Sequence, residues 1–393
     1  VANHVFNLIN PSLIVPKPPP PPLLYADTAT SADQLYFSQV SVHDPFISFG
    51  VGKKRYTVQN ALEFGRVKKT RSVDEVLPLE DWVAKARKRH PRSAIGPAEV
   101  IAELARSYRV KGFRVADDFP AALYLKLKKL GLTLELADGP LFPERETKTA
   151  KEANAIREGN RLSSLGFTVA ETILRESRIR GNALIYEKKP LTSERVQFAI
   201  ESAILSEGGR SDDTIVAGGD QACDPHERGH GPLHPRELII IDIFPRVLKT
   251  GYYGDMTRTY LRGRANEAQS QLRQAVFNAQ QAAIKSVKAG VEGSHVHQQV
   301  LDVFDQGGYE TTRGKNGSTG FFHGTGHGLG LDVHETPRVS GHVSAPLKKG
   351  AVVTIEPGLY YPGLGGCRIE DVVQVTARGT KPLSDHHYEW EIR

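Results

Sequence analysis

The sequence predicts an α+β protein in two parts, a smaller α/β domain followed by a larger domain that carries the chemistry. Three observations lead there. At 393 residues the chain exceeds the ~250–300 at which a single hydrophobic core stops growing. Up to Gly139-Pro140 short strand-like and helix-like segments alternate, whereas beyond it long helical periodicities are interleaved with apolar strand-like runs. A hydrophobic content of 39% with 24% charged residues is that of a globular chain. No stretch approaches ~18 consecutive apolar residues, so neither a spanning helix nor a membrane partner is expected.

Residues 1–25 read as a proline-rich arm, because Pro16 and Pro18 through Pro22 favour an extended polyproline conformation. Val1 to Leu24 has no basic leading region and no unbroken apolar run, so a secretory signal is not expected. Two cysteines, Cys223 and Cys367, cannot form a disulfide scaffold, which points to a reducing compartment or to indifference to redox; the cytoplasm is the expected location.

Residues 26–146 are expected to form the smaller α/β domain. Leu35 to Val42 and Phe46 to Val58 read as strands, the latter turning at Gly50 to Lys54. Pro97 to Tyr108 reads as a helix with Val100, Ile101, Leu104 and Ala105 on one side. A strand at Gly112 to Ala116, a helix at Pro120 to Leu130 and a strand at Leu132 to Leu136 complete a βαβ order, which implies a parallel or mixed sheet. Residues 147–393 form the second expected domain. Thr149 to Ser177 carries helical periodicity through Ala153, Ile156, Leu162, Leu165, Val169, Ile173 and Leu174, and Thr192 to Ser206 repeats it. After the loop Gly218 to Pro235, Leu238 to Ile243 reads as a buried strand with Asp255 to Leu261 as its hairpin partner. Helices are expected over Asn266 to Ala289 and Ser294 to Gln306, then strands and loops to Thr376.

The net charge of +6 is confined to the first 150 residues, which hold 22 basic and 16 acidic side chains. The runs Lys53-Lys54-Arg55, Lys68 to Arg71 and Lys85 to Arg92 carry much of it. No aromatic-basic motif or zinc-finger spacing accompanies them, so they read as solvated faces and a nucleic-acid partner is not expected.

Four acids stand in or beside apolar strand-like runs: Asp242, Asp255, Glu356 and Glu370. Desolvating one carboxylate is costly, and four together repel strongly unless cations lie between them. His323, His327 and His334 fall within twelve residues, separated by glycines that disfavour a helix at ~1 kcal/mol each, so this segment reads as extended. Oxygen ligands with one imidazole suit manganese, cobalt or zinc.

These residues and their contexts resemble the pita-bread metallopeptidases, the family of methionine aminopeptidase, aminopeptidase P and prolidase. The similarity is carried by Thr354-Ile355-Glu356-Pro357-Gly358-Leu359-Tyr360, by Arg368-Ile369-Glu370-Asp371, and by the segment His323 to Glu335, which is nearer the aminopeptidase P and prolidase pattern. It covers about Thr147 to Thr376, preceded by a domain similar to the creatinase-type N-terminal domain. The resemblance implies that Asp242, Asp255, His327, Glu356 and Glu370 bind two divalent metal ions, with manganese expected and cobalt or zinc as alternatives. It implies that His226, His334 and Glu356 are catalytic, and that His323, Tyr360 and Arg368 contact substrate or orient the ligands. The implied activity is hydrolysis of Xaa-Pro bonds of short proline-containing peptides by a metal-activated hydroxide, as in aminopeptidase P or prolidase. A homodimer or higher homo-oligomer is expected with it. A creatinase-like hydrolase that needs no metal, or a non-catalytic binding protein on the same fold, would have no use for a complete ligand set. Asp242 and Asp255 are two residues further apart than in the family's usual pattern. An even insertion leaves both acids on one face, because strand side chains alternate with period two. His230 and His234 are not expected to bind metal, and His386 and His387 are expected to be exposed.

Overall fold

The computed structural model describes residues 19–315 and 317–393. Most of the expected proline arm, residues 1–18, lies outside the described residues. The chain divides into two compact units, the first ending at Pro143 and the second running from Glu144 to Arg393.

In the first unit, β1 (Leu23–Ala26), α1 (Ala32–Ser38), β2 (Phe46–Val51), β3 (Lys54–Gln59), α2 (Ala61–Thr70), β4 (Glu75–Pro78), α3 (Leu79–Arg89), α4 (Pro97–Ser107), β5 (Gly112–Val115), α5 (Ala121–Lys129) and β6 (Thr133–Leu136) follow one another. The strands make a mixed sheet in the order β1-β2-β3-β4, antiparallel except for the parallel β3–β4 pair, and β5 and β6 pair in parallel. A bridge from Pro22 to Arg114 joins the two sets. Residues 23–25, assigned to the arm from sequence, therefore belong to the sheet. The carbonyls of Pro21 and Pro22 accept the Arg114 and Gly50 amides at 2.9 and 3.0 Å. Proline can accept at a sheet edge although it has no N–H to donate. Phe49, Ile101, Leu104, Phe113 and Leu127 fill the core.

Leu35 to Val42 is not a strand. Ser31 caps α1 by accepting the Gln34 amide at 3.2 Å, Asp33 stands in the first turn, and Gln39 closes the helix in the left-handed region. These local signals outweigh the strand propensity of Leu-Tyr-Phe. The basic runs have a similar explanation. Lys68 and Lys69 end α2, and Arg87, Lys88 and Arg89 end α3, where cations oppose the negative end of the helix dipole.

The second unit begins with α6 (Ala150–Glu176), capped reciprocally by Thr149 and Glu152. There follow β7 (Arg178–Arg180), β8 (Ala183–Tyr186), β9 (Lys189–Pro190), α7 (Ser193–Ser206), β10 (Gly209–Arg210), β11 (Ile215–Gly218), β12 (Leu238–Ile243), β13 (Arg246–Val247), β14 (Met256–Arg262), α8 (Glu267–Ser286) and α9 (Gly293–Gln306). The rest is strand and loop: β15 (Thr312–Gly314), β16 (Gly317–Thr319), β17 (Gly326–Gly328), β18 (Glu335–Val339), β19 (Val352–Ile355), β20 (Gly358–Tyr361), β21 (Gly365–Arg368), β22 (Asp371–Val375), β23 (Thr380–Pro382) and β24 (Glu391–Ile392). Two sheets dominate, ordered β11-β12-β14-β24 and β18-β17-β19-β22-β23. Helices α6 and α7 cover the first through Leu162, Phe167, Ile200 and Ile204 against Ile239, Ile241 and Tyr260. Helices α8 and α9 cover the second through Val276, Ala283, Val296 and Val300 against Val353, Ile355 and Val373. Each buried Val, Leu or Ile among them contributes ~1.5–3 kcal/mol on burial. Among the described residues no helix is long and apolar enough to cross a membrane.

Candidate metal centre

The acids lie where the two sheets meet. Asp242 stands in β12 opposite Thr257, and Asp255, two residues before Thr257, shares that face. The segment between them leaves the hairpin at β13, where Arg246 and Val247 pair with β10, so the wider spacing is absorbed without rotating either acid away. Thr257 also spans the seam. Its hydroxyl donates to Glu370 Oε2 at 2.8 Å, and its carbonyl accepts the Glu370 amide at 3.0 Å.

Helix α6 sets the position of Asp255. Asn160 Oδ1 accepts the Asp255 amide at 2.8 Å while its Nδ2 donates to the Leu383 carbonyl at 3.1 Å. This needs backbone against backbone: a Cβ on Gly159 would stand 2.3 Å from the Gly254 nitrogen. At β17, a Cβ on Gly326 would meet the Thr354 carbonyl at 1.9 Å, so only glycine lets β17 lie this close to β19. Thr354 Oγ1 then accepts the His327 amide at 3.0 Å and donates to Glu356 Oε1 at 3.3 Å.

His327 Nδ1 lies 3.1 Å from the Gly328 carbonyl, which can only accept, so Nδ1 carries the proton. Nε2 is thereby left for the acids, 3.6 Å from Asp255 Oδ2 and 3.3 Å from Glu356 Oε1. Ligand atoms of Asp255, His327 and Glu370 all lie within 4.8 Å of one another. Asp242 accepts from Arg368 Nη2 at 2.8 Å on Oδ2, while its buried Oδ1 has no hydrogen-bond partner among the described residues.

The electrostatics are those of a place short of positive charge. Burial, then the neighbouring carboxylates, push Asp255 and Glu370 well above the usual range, and burial raises Asp242 despite Arg368. Burial disfavours a charged His327, yet Glu356 and Asp255 outweigh it and lift the ring to about 9. Burial would raise Glu356 too, but the hydrogen bond and charge of His327 bring it to about 2. A proton held among these groups occupies the electrostatic place of a cation. With the orphaned Asp242 oxygen and an oxygen-rich set holding one imidazole, the residues fit divalent metal ions.

His334 packs its ring edge-to-face on His327, centroids 4.4 Å apart, and burial, then the charge of His327, lower it to about 4. His226 is exposed in the loop before β12, and a charge on it bears on both His323 and His334. His323 Nδ1 donates to the Gly324 carbonyl at 2.7 Å, so its Nε2 accepts the Tyr360 hydroxyl at 2.8 Å, and burial holds the ring near 4. Arg368 and Tyr360 are 3% and 0% exposed and are engaged with each other at 3.2 Å and with Asp242 and His323, contacts that match the ligand-orienting role of the two expected for them. His230 faces Glu227 at 3.3 Å and His234 the Asn182 carbonyl at 2.6 Å, both away from the cluster.

Asn160, Thr257 and Thr354 escaped the sequence reading. A polar residue on the apolar face of α6 and threonines in fully buried strands were the available signals, since such groups must find partners.

Residues 154–377 match the model for metallopeptidase family M24. The chain is 37% identical over 173 residues to the Xaa-Pro dipeptidase of Pyrococcus furiosus, covering 44% of this chain and 47% of that protein. An uncharacterized peptidase of Staphylococcus aureus is 33% identical over 248 residues, 62% of this chain and 64% of the relative. The chain thus spans about half the length of the Pyrococcus relatives it matches. Among solved structures, the Xaa-Pro dipeptidase from Bacillus anthracis superposes with a TM-score of 0.78 at 22% identity, covering 95% of each chain. The X-Pro aminopeptidase from Thermotoga maritima also reaches 0.78 at 22% identity, over 95% of this chain and 97% of that one. The architecture is therefore the pita-bread fold preceded by a smaller α/β unit. With more than half its length matched and an acid-rich cluster at the seam of its two sheets, the chain belongs to metallopeptidase family M24.

Proposed function

We propose that the protein is a metallo-exopeptidase that hydrolyses Xaa-Pro bonds of short peptides or dipeptides. Asp242, Asp255, His327, Glu356 and Glu370 would hold two divalent cations, manganese by preference and cobalt or zinc otherwise. The observation that carries this reading is the convergence of Asp255, His327 and Glu370 beside Asp242 and Glu356 in a buried place that attracts positive charge. The Xaa-Pro substrate class rests on the names of the Pyrococcus relatives. A metal-free hydrolase would leave these carboxylates repelling one another without compensation.

When bound, the cations would polarise the scissile carbonyl and bring the pKa of a water towards neutrality. Glu356 accepts the proton of the attacking water and returns it to the leaving proline nitrogen. His334 and His226 donate to the oxygen on which negative charge develops. His323 and Tyr360 keep Arg368 directed at Asp242, so the acid is held in place. Both cysteines are free and their thiols are pushed up by burial, Cys223 to about 12 and Cys367 to about 11, so neither serves as a nucleophile. Unpaired thiols also fit a cytoplasmic location.

Dialysis against chelator, followed by metal analysis and assays on Xaa-Pro and Xaa-Pro-Yaa peptides, tests the reading. Chelation should abolish hydrolysis and manganese should restore it. Full activity at far below one ion per chain would overturn it. Cleavage of the dipeptide alone would identify a dipeptidase, and preference for longer peptides an aminopeptidase.

A further inference from the structure

Across β14 from the acid cluster lies a second convergence of ligand-type side chains. Thr257 faces the acids, so Arg258 and Tyr260 point to the opposite side of the strand. There, Glu171 of α6 meets His386 and His387 from the segment before β24, and one ligand atom from each lies within 4.8 Å of the others. His386, expected from sequence to be exposed, has a side chain only 5% exposed.

We propose that Glu171, His386 and His387 form a separate site for a zinc-type divalent ion that fastens the C-terminal segment to helix α6. Nothing in this proposal depends on the peptidase reading. Both imidazole Nε2 atoms are directed at one carboxylate, His386 at 2.9 Å from Oε1 and His387 at 3.2 Å from Oε2. A tetrahedral ion with bonds of ~2.0–2.2 Å sets its ligand atoms ~3.3–3.6 Å apart, so both contacts would open by a few tenths of an ångström to admit it. The rings lie nearly parallel, 4.4 Å between centroids and 28° between planes, and Phe167 supports His386 at 5.0 Å. Their approach is fixed from behind, because Arg258 donates to the His386 carbonyl at 3.0 Å and to the His387 carbonyl at 3.2 Å.

The surrounding hydrogen bonds agree with a ligand role for His386. Its Nδ1 lies 2.9 Å from Ser164 Oγ, the type of outer partner that orients a metal-binding imidazole. Tyr260 donates to Glu171 Oε1 at 2.8 Å and lies 3.3 Å from His386 Nε2, within reach of a fourth position. His387 gives something up. Its Nδ1 accepts the Glu389 amide at 3.2 Å, and that contact is lost when Nε2 turns to an ion and Nδ1 takes the proton. Two imidazoles with one carboxylate select zinc among the common divalent ions over magnesium or calcium.

Crystals of the full chain loaded with zinc, measured at the zinc absorption edge, test the site directly. The expected result is an anomalous peak within ~2.0–2.2 Å of His386 Nε2, His387 Nε2 and a Glu171 oxygen. In solution, His387→Ala should hold one zinc fewer per chain than the parent while keeping its circular dichroism and peptidase activity. That difference is independent of how many ions the acid cluster takes. No peak at the cluster, a peak on His387 alone, or equal zinc content in parent and variant would overturn the proposal and leave these residues as a hydrogen-bonded clasp.

Discussion

Removing a carboxylate from the cluster and removing an imidazole beside it should have different consequences. Asp255→Ala takes away an acid that faces His327 and Glu370, so metal content and turnover should fall together. His334→Ala leaves those acids untouched and should keep its metal while losing ~10²-fold or more in kcat. Loss of metal in the second variant with retention in the first would reverse the two roles. Elsewhere in this unit, Glu335 is enclosed by Lys148 at 2.9 Å and by Arg145. Burial opposes its charge, but the two cations outweigh it and hold the carboxyl below its usual value. A carboxyl whose folded pKa is depressed adds stability above the unfolded value and loses it as pH falls through the folded one. Glu335→Gln should therefore cost ~3 kcal/mol near neutrality, as breaking a buried pair does. The cost should shrink below pH ~4, and urea titrations at two pH values check it.

Among elements, α6 matters for where it touches as much as for what it covers. Alanine is ordinarily ~1 kcal/mol better than glycine inside a helix. Gly159→Ala should do the opposite, because its Cβ would force α6 away from Gly254, and destabilisation of ~1–3 kcal/mol is expected. Metal affinity should fall with it, since Asn160 and the Asp255 amide move apart; thermal melts and metal titration read both. That crossing was not legible in the sequence, where Gly159 interrupts an otherwise regular helical pattern with no visible reason. What was legible were features with strict periodicity. Leu238 to Ile243 and its hairpin partner read cleanly because apolar residues surround a lone acid. Leu35 to Val42 misled because aromatic side chains suit a strand, whereas the decisive Ser31 cap lay outside the segment. The positions behind the site, Thr257 and Thr354, carry no charge and so left little trace.

At the scale of the molecule, the long matched segment and the order of the five acid and imidazole positions made the larger unit readable at once. The charge excess proved less informative, since the ends of α2 and α3 account for part of it locally. We expect a homodimer or larger homo-oligomer, with the basic N-terminal unit assisting association. Sedimentation at micromolar concentration should give at least twice the 43.2 kDa chain mass; a monomer with full activity would remove assembly from the account. One pairing also bears on how the protein is made. β24 lies parallel to β14, with the Leu261 amide donating to the Trp390 carbonyl at 2.8 Å, although Arg262 and Ile392 are 130 residues apart. During synthesis the end of β14 at Leu261 and Arg262 must wait for those residues to emerge, with its outer backbone groups bare. A nascent chain stalled short of residue 390 would thus offer the ribosome's surroundings an open strand edge, a template for wrong partners and a natural target for chaperones.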